Sequence, residues 1–288
     1  VLIDASTRLC CLIGHPIGHS VSPQMHNAAF NALGLNYVYL AFDIPPEMLV
    51  DAVRGLRALC AAGFNVTIPH KVAVMKLLDE LDPSAERTGA VNTVVNNHGA
   101  LRGYNTDLHG IRRVLEGRDL PLSMPALVIG AGGAARAAVA ALTDLGFRRI
   151  LIANRTLERG LALVELARSL GASAEALDLE EGRRRAIECG VVVNATPIGM
   201  YPDTGVTPLV AEEMRRGMII LDLVYNPPRT RLLEEAEKAG AVPISGLDVL
   251  VYQGAEAFRL WTNMDPPIEV MRRAAVKALE GYRRDDRR

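Results

Sequence analysis

Gly130-Ala-Gly-Gly-Ala134 follows the apolar run Ala126–Ile129 and leads into an Ala-rich stretch from Arg136 to Leu145. A strand, a glycine turn and a helix in succession put the backbone N–H groups of Gly130, Ala131, Gly132, Gly133 and Ala134 at a helix N-terminus. There they can hold a pyrophosphate. The third slot of the fingerprint holds Ala135. A tight turn with a purely structural role is the competing reading.

The residues after the next strand, Ile150–Ala153, refine the cofactor. Chains that bind NAD end this strand with an acid that takes the ribose 2′-hydroxyl. Here the run is Asn154-Arg-Thr-Leu-Glu-Arg159, with no carboxylate before Glu158. Arg155 can pair in a bidentate way with a 2′-phosphate, and nothing repels that charge. The pattern therefore selects NADP, against the alternative of an ordinary surface arginine.

A second set of reactive groups lies in the first third of the chain. Gly14-His-Pro-Ile-Gly-His-Ser-Val-Ser-Pro23 is a loop rich in turn residues and hydroxyls, with Ser22 and Pro23 placed to cap and start a helix. Ser20 and Ser22 then sit between a strand end and a helix start, where small ligands lie in open α/β sheets. Asn65 and Thr67 share one face of the brief strand opened by Gly63, and Pro69 ends it. Lys71 follows at the start of a helix expected over Val72–Leu81. A lysine at the positive end of a helix dipole would have its pKa lowered and become apt for proton transfer. Asp107, before a helix from Leu108 to Glu116, is either an N-cap or the carboxylate that tunes Lys71. Gln253 is the one uncharged polar group within an apolar helical run, Gly246–Trp261, unless it faces solvent. His15, His19 and His26 have no Cys or carboxylate to complete a metal set, so no metal is expected.

These groups need a scaffold of strands and helices in alternation. Strands are expected at Leu9–Ile13, Tyr37–Phe42, Gly89–Val95 (bearing Asn92), Val191–Thr196, Met218–Val224 and Ala241–Ser245. Helices are expected over Gln24–Leu33, from Pro45-Pro46 to Leu59, over Thr230–Ala239 and over Ile268–Tyr282. Arg283–Arg288 reads as a charged, disordered end. Gly117–Pro125 is a polar, proline-bearing linker. With 288 residues, 49% of them apolar, the chain suits two α/β domains. A net charge of −1 offers no bulk attraction to nucleic acid or anionic lipid, and no segment is apolar enough to span a membrane. No secretory leader is visible, although a start at Val1 leaves an earlier segment open. Four cysteines without ligand spacing, two of them adjacent in an apolar run, fit a reducing cytoplasmic setting.

Taken together the segments resemble the shikimate dehydrogenase family along nearly the whole chain. The motifs that carry the likeness are Gly14–Pro23, Asn65-Val-Thr-Ile-Pro-His-Lys71 and Gly89-Ala-Val-Asn-Thr93. Asn105-Thr-Asp107, Gly130–Ala134, Asn154-Arg-Thr156 and Tyr252-Gln253 continue it in register. The resemblance implies NADP-dependent, reversible oxidation of shikimate at its C3 hydroxyl. It implies a Rossmann-type NADP-binding domain, residues 113–246, inserted between the two parts of a substrate-binding domain, residues 1–112 and 247–288. It further implies that Ser20 and Ser22 hold the substrate carboxylate. Thr67, Asn92, Asp107 and Gln253 would contact its hydroxyls, Asn65 and Lys71 would also belong to the substrate-binding set, and Tyr225 would close the site. Lys71 would be the proton donor and acceptor, coupled to Asp107. Gly130–Ala134 would cradle the pyrophosphate, and Asn154, Arg155, Thr156 and Arg159 the 2′-phosphate. Leu223 and Gly246 would approach the nicotinamide through backbone atoms.

The expected partner is a small molecule, with the assembly open between monomer and homodimer. Two other readings stand beside this one. A quinate/shikimate dehydrogenase with broader substrate and NAD use is disfavoured by the missing acid after the second cofactor strand. A non-catalytic NADP sensor would have no use for Lys71 with Asp107.

Overall fold

The computed structural model describes residues 3–18 and 20–285, with no side-chain description beyond residue 281. The chain divides into two compact units, one of residues 1–106 with 251–288 and one of residues 107–250. The expected boundaries at 113 and 246 fall inside the second unit.

The first unit is built on β1 (Arg8–Gly14), α1 (Ser22–Ala32), β2 (Tyr37–Asp43), α2 (Leu49–Ala58), β3 (Gly63–Val66), β4 (Glu80–Leu81), α3 (Pro83–Thr88), β5 (Thr93–Asn97) and β6 (Ala100–Tyr104). Its six strands form one mixed sheet in the order β2-β1-β3-β5-β6-β4. β1 pairs in parallel with β2 and β3, whereas β5 runs antiparallel to both β3 and β6. Cys11, Ile13, Phe64, Val66, Val94 and Leu101 supply the sheet's share of a buried core, against Leu49, Val53 and Leu56 of α2. The adjacent thiols of Cys10 and Cys11 are buried in β1, and burial raises the pKa of both, that of Cys11 to about 12.

The second unit takes up the chain in α4 (Thr106–Leu115) and continues through β7 (Ala126–Ile129), α5 (Gly133–Asp144), β8 (Arg149–Ala153), α6 (Leu157–Ser169), β9 (Ser173–Leu177), α7 (Leu179–Arg185), β10 (Val191–Asn194), β11 (Ile219–Asp222), α8 (Arg231–Lys238) and β12 (Val242–Ser245). All strand pairs are parallel, in the order β12-β11-β10-β7-β8-β9. This is the doubly wound dinucleotide-binding order, with its switch point between β7 and β10. β7, β10 and β11 are buried throughout, the continuous apolar reading of a sheet covered on both faces. The chain then returns through α9 (Gly246–Thr262) to the first unit and ends in α10 (Ile268–Asp285).

Several local expectations are corrected. Val72–Leu81 is not an α-helix: a short 3₁₀ helix, Ala73–Leu77, gives way to extended backbone at Leu78. The Asp79 N–H donates to the Leu101 carbonyl, the Asp79 carboxylate accepts from the Leu101 N–H and from Arg57, and β4 pairs with β6. Tertiary pairing overrides a helical apolar spacing here, and the dipole invoked for Lys71 loses its source. The expected strand over Gly89–Val95 starts only at Thr93. α3, which the sequence reading missed, is capped by Asp82 and ends on Gly89 in the left-handed region at φ +59°. β9 and α7 were also missed. The last helix runs past Tyr282 to Asp285, and residues 286–288 of the expected disordered end lie outside the described residues.

Candidate active site

The polar groups singled out in the sequence separate between the two units. Ser20, Ser22, Asn65, Thr67, Lys71, Asn92 and Gln253 belong to the first; Asp107, Tyr225 and every expected cofactor residue belong to the second.

In the first unit the ends of β1 and β3 are drawn together. The Thr67 N–H donates to the Ile13 carbonyl and the His15 N–H to Ile68. A Cβ on Gly14 would lie 2.3 Å from the Thr67 methyl group, so only glycine admits this approach. Ser22 does not cap α1 with its side chain. It is the first helical residue, and its N–H donates to the Ser20 hydroxyl at 3.3 Å. Both serines are buried.

Asn65, Asn92 and Gln253 lock into one buried network. The Asn65 amide donates to the Asn92 carbonyl (3.1 Å) and to Thr93 Oγ1 (2.9 Å). Asn92 Oδ1 accepts from the Thr106 N–H at 2.6 Å, while its Nδ2 donates to Thr106 Oγ1 (3.0 Å) and Gln253 Oε1 (3.3 Å). Gln253 is therefore not a solvent-facing residue: it is buried, and its oxygen accepts from Asn92 and Thr106. Thr93 and Thr106 join the network, their hydroxyls 2.9 Å apart. Neither was anticipated; the only available signal was a hydroxyl beside each asparagine in the motifs. Lys71 lies next to this network in the chain path, its carbonyl accepting from the Val91 N–H at 2.7 Å. It is half-buried, and nearby in the sequence Ile68 and Val72 are exposed.

The histidines take structural parts. His15 Nδ1 meets Asp43 at 2.7 Å. His70 Nε2 lies 2.7 Å from the Ile44 carbonyl, which can only accept, so Nε2 carries the proton. His26 is fully buried, and burial pushes its pKa down to about 3. His19 lies outside the described residues. Among the described residues no group of three His, Cys, Asp or Glu side chains could hold a metal ion.

In the second unit the glycine turn joins β7 to α5 at the switch point. Gly130 has φ +114°, and a Cβ there would lie 2.8 Å from the Ala195 carbonyl oxygen. Gly132 is exposed, and a Cβ there would meet nothing within 4 Å. No side chain caps α5, so its first N–H groups keep the open, positive end of the helix. Ala135 is fully buried, the small residue that close helix–sheet packing needs. After β8, Asn154 Nδ2 donates to the Thr156 carbonyl at 2.7 Å and bends the chain into α6. Arg155 and Arg159 are exposed, and neither is engaged by a carboxylate among the described residues. These groups fit a dinucleotide carrying an extra phosphate.

Asp107 is not an N-cap but the second residue of α4. Leu223 and Gly246 meet: a Cβ on Gly246 would lie 2.6 Å from the Leu223 carbonyl, so glycine alone permits this packing. Tyr225 is half-buried in the loop after β11. Beneath that loop lies Asp222, which the sequence reading overlooked. Burial pushes its carboxyl up to about 6, against hydrogen bonds from Thr230 (2.6 Å), the Val224 N–H (3.0 Å) and Asn194 (2.9 Å). Thr230 also caps α8. Asp222 thus pins the loop that carries Leu223 and Tyr225.

Comparison with known proteins agrees with this arrangement. Residues 12–94 match the shikimate dehydrogenase substrate binding domain, residues 121–228 the shikimate / quinate 5-dehydrogenase family and residues 246–276 the shikimate 5′-dehydrogenase C-terminal domain. A shikimate dehydrogenase (NADP(+)) of Methanopyrus kandleri is 54% identical over 285 residues, covering 97% of this chain and 98% of its own. The chain belongs to the shikimate dehydrogenase family. A crystal structure of a shikimate dehydrogenase in complex with NADP+ superposes with a TM-score of 0.89 at 46% identity, covering 96% of this chain and 98% of the other. The Thermus thermophilus member, crystallised with NADP(H) and shikimate, gives 0.84 at 42% identity over 94% of this chain and all (100%) of its own. Family membership accounts for both halves of the molecule, the mixed sheet with its amide network and the parallel sheet with its glycine turn.

Proposed function

We propose that this protein is an NADP-dependent oxidoreductase that interconverts shikimate and 3-dehydroshikimate, the step the family performs in aromatic amino-acid biosynthesis. The near full-length likeness to NADP(+) shikimate dehydrogenases carries this reading. NADP supplies the hydride acceptor for the C3 hydrogen in oxidation, and NADPH the donor in reduction. Gly130–Ala134 offer backbone N–H groups to its pyrophosphate, and Asn154, Arg155, Thr156 and Arg159 face its 2′-phosphate. Leu223 and Gly246 set the backbone beside its nicotinamide.

The protein's own task is to hold the ring and move one proton. Ser20 and Ser22 bind the substrate carboxylate, and the second serine lies at the N-terminal end of α1, whose dipole favours an anion. Thr67, Asn92, Asp107 and Gln253 meet the hydroxyls, Asn65 also belongs to the substrate-binding set, and Tyr225 covers the ring. Lys71 Nζ takes the C3 hydroxyl proton as the hydride leaves carbon and returns it in the reverse direction, and Asp107 is the second group assigned to the proton transfer. A recognition surface of fixed amides and hydroxyls rejects analogues that lack a hydroxyl, because its own polar groups would then be left unpaired.

The test is absorbance at 340 nm with shikimate or quinate and NADP or NAD. Turnover of shikimate with NADP well above the other three combinations is expected. Preferential turnover of quinate with NAD, or tight NADP binding with no turnover, would overturn the assignment.

A further inference from the structure

One buried side chain links both parts of the proposed substrate subsite without having a role in it. Tyr39, in the middle of β2, is fully buried. Asn27 of α1 grips both of its backbone groups: the Asn27 amide donates to the Tyr39 carbonyl at 2.9 Å, and the Tyr39 N–H donates to Asn27 Oδ1 at 2.8 Å. The neighbouring His26 ring stacks on the phenol, with centroids 4.4 Å apart and planes 10° from parallel. At the other end of the ring, the hydroxyl lies 2.7 Å from Asn65 Oδ1.

The orientation of each amide in this array is determined. The Asn92 carbonyl accepts only, so the nitrogen of the Asn65 amide must face it, and Asn65 Oδ1 faces Tyr39. The phenol is therefore the donor. The Thr106 N–H fixes Asn92 in the same way, oxygen toward the backbone, and Asn92 in turn fixes the oxygen of Gln253. Three amides that could each present either end to a ligand are held in a single orientation. Tyr39 supplies the one anchor of Asn65 Oδ1 in that array that comes from β2.

We propose that Tyr39 is a positioning residue for substrate recognition, acting through Asn65. Its hydroxyl donates to Asn65 Oδ1 and so holds the amide in the orientation that the Asn92 carbonyl selects. Its ring and backbone tie α1, which carries Ser22, to the strand that carries Asn65. The carboxylate end and the hydroxyl end of the subsite are thereby kept in one register. The inference rests on the reading that Ser22 and Asn65 contact the substrate.

Tyr39→Phe keeps the stack on His26 and removes only the donor, leaving a buried acceptor unpaired. The expected result is a rise of about tenfold in KM for shikimate with KM for NADP unchanged. Asn65→Ala is expected to raise the same constant, and the double variant to be no worse than Asn65→Ala alone. A Tyr39→Phe enzyme with unaltered KM for shikimate, a parallel rise in both constants, or additive losses in the double variant would overturn the proposal. Thr93→Val removes the next link and is held to the same criteria, so the proposal stays refutable if Tyr39→Phe does not fold. Wild-type turnover of shikimate is measured alongside. Its absence would sink the functional reading, whereas its presence with an indifferent Tyr39→Phe sinks only the role of Tyr39.

Discussion

In the first unit Asn65, Asn92, Thr93, Thr106 and Gln253 are buried and bonded to one another. In the second, the groups proposed to meet the cofactor are backbone N–H groups at an uncapped helix and two exposed guanidiniums without carboxylate partners among the described residues. Under the proposed function, the contrast follows from what each set would recognise. A polyhydroxylated ring is read by donors and acceptors whose orientation has to be fixed in advance, and side chains locked in a low-dielectric network achieve this. A phosphate is a charge with acceptors on every side, and main-chain donors with an arginine fork suffice.

The contrast can be tested at its most demanding point first. Lys71→Ala is expected to lower kcat by about 10²-fold or more with little change in KM, the pattern of a lost acid/base. Arg155→Ala should leave kcat intact and weaken NADP about tenfold while NAD is scarcely affected, the pattern of a lost charge-assisted contact. Steady-state kinetics with both cofactors separates the two. Near-normal turnover after Lys71→Ala, or equal losses of NADP and NAD after Arg155→Ala, would remove the assigned roles.

The glycine turn gives a sharper pair. Gly130→Ala meets a positive φ and the Ala195 carbonyl, so a loss of roughly 2 kcal/mol in stability is expected by denaturant titration. Gly132→Ala meets open space, so stability should hold while NADP affinity falls, because the backbone could no longer approach the pyrophosphate. Equal stability losses in both would show that the turn is only structural.

The smallest effects concern acid, and the two units should respond with opposite sign. His26 titrates at about 3 when folded against an ordinary 6.5. Below pH 6.5 the unfolded chain binds a proton that the folded one refuses, so this contribution is present above 6.5 and is lost as pH falls toward 3. Asp222 titrates at about 6 against an ordinary 3.8. Between those values the folded chain holds a proton that the unfolded one lacks. Its contribution is present below 3.8 and is lost as pH rises through 6. Thermal melts of His26→Phe and Asp222→Asn against wild type at pH 7 and pH 5 should shift in opposite directions, by about 1–2 kcal/mol each. Shifts of the same sign would show that one of the two groups does not titrate as its burial demands.

The legibility of the chain follows the same division. β7, β10 and β11 announced themselves as continuous apolar runs, and the doubly wound order makes Gly130 the switch-point residue that its motif suggested. In the first unit the asparagines were visible but their interlocking was not, since Gln253 reaches Asn92 from 161 positions away. Val72–Leu81 misled because its apolar spacing suits a helix, whereas Asp79 and β6 draw the backbone into a strand. The signals for α3, Asp82-Pro83 and Gly89, were present and local, yet Gly89 suited the start of a strand and Asp82-Pro83 lay outside every expected element. Tyr39 was read only as a strand aromatic, since nothing in its sequence neighbourhood points to Asn65.

Thr106 and Gln253 stand 147 positions apart, yet their side chains approach to 3.4 Å. They are the gateposts of the inserted unit, one just before the chain departs and one just after it returns. A flexible loop of that length costs about 4 kcal/mol of closure entropy. An insertion already collapsed around its own parallel sheet brings its two ends near each other and removes most of that cost. Thr106 and Gln253 therefore meet at little entropic cost once the inserted unit has its own fold.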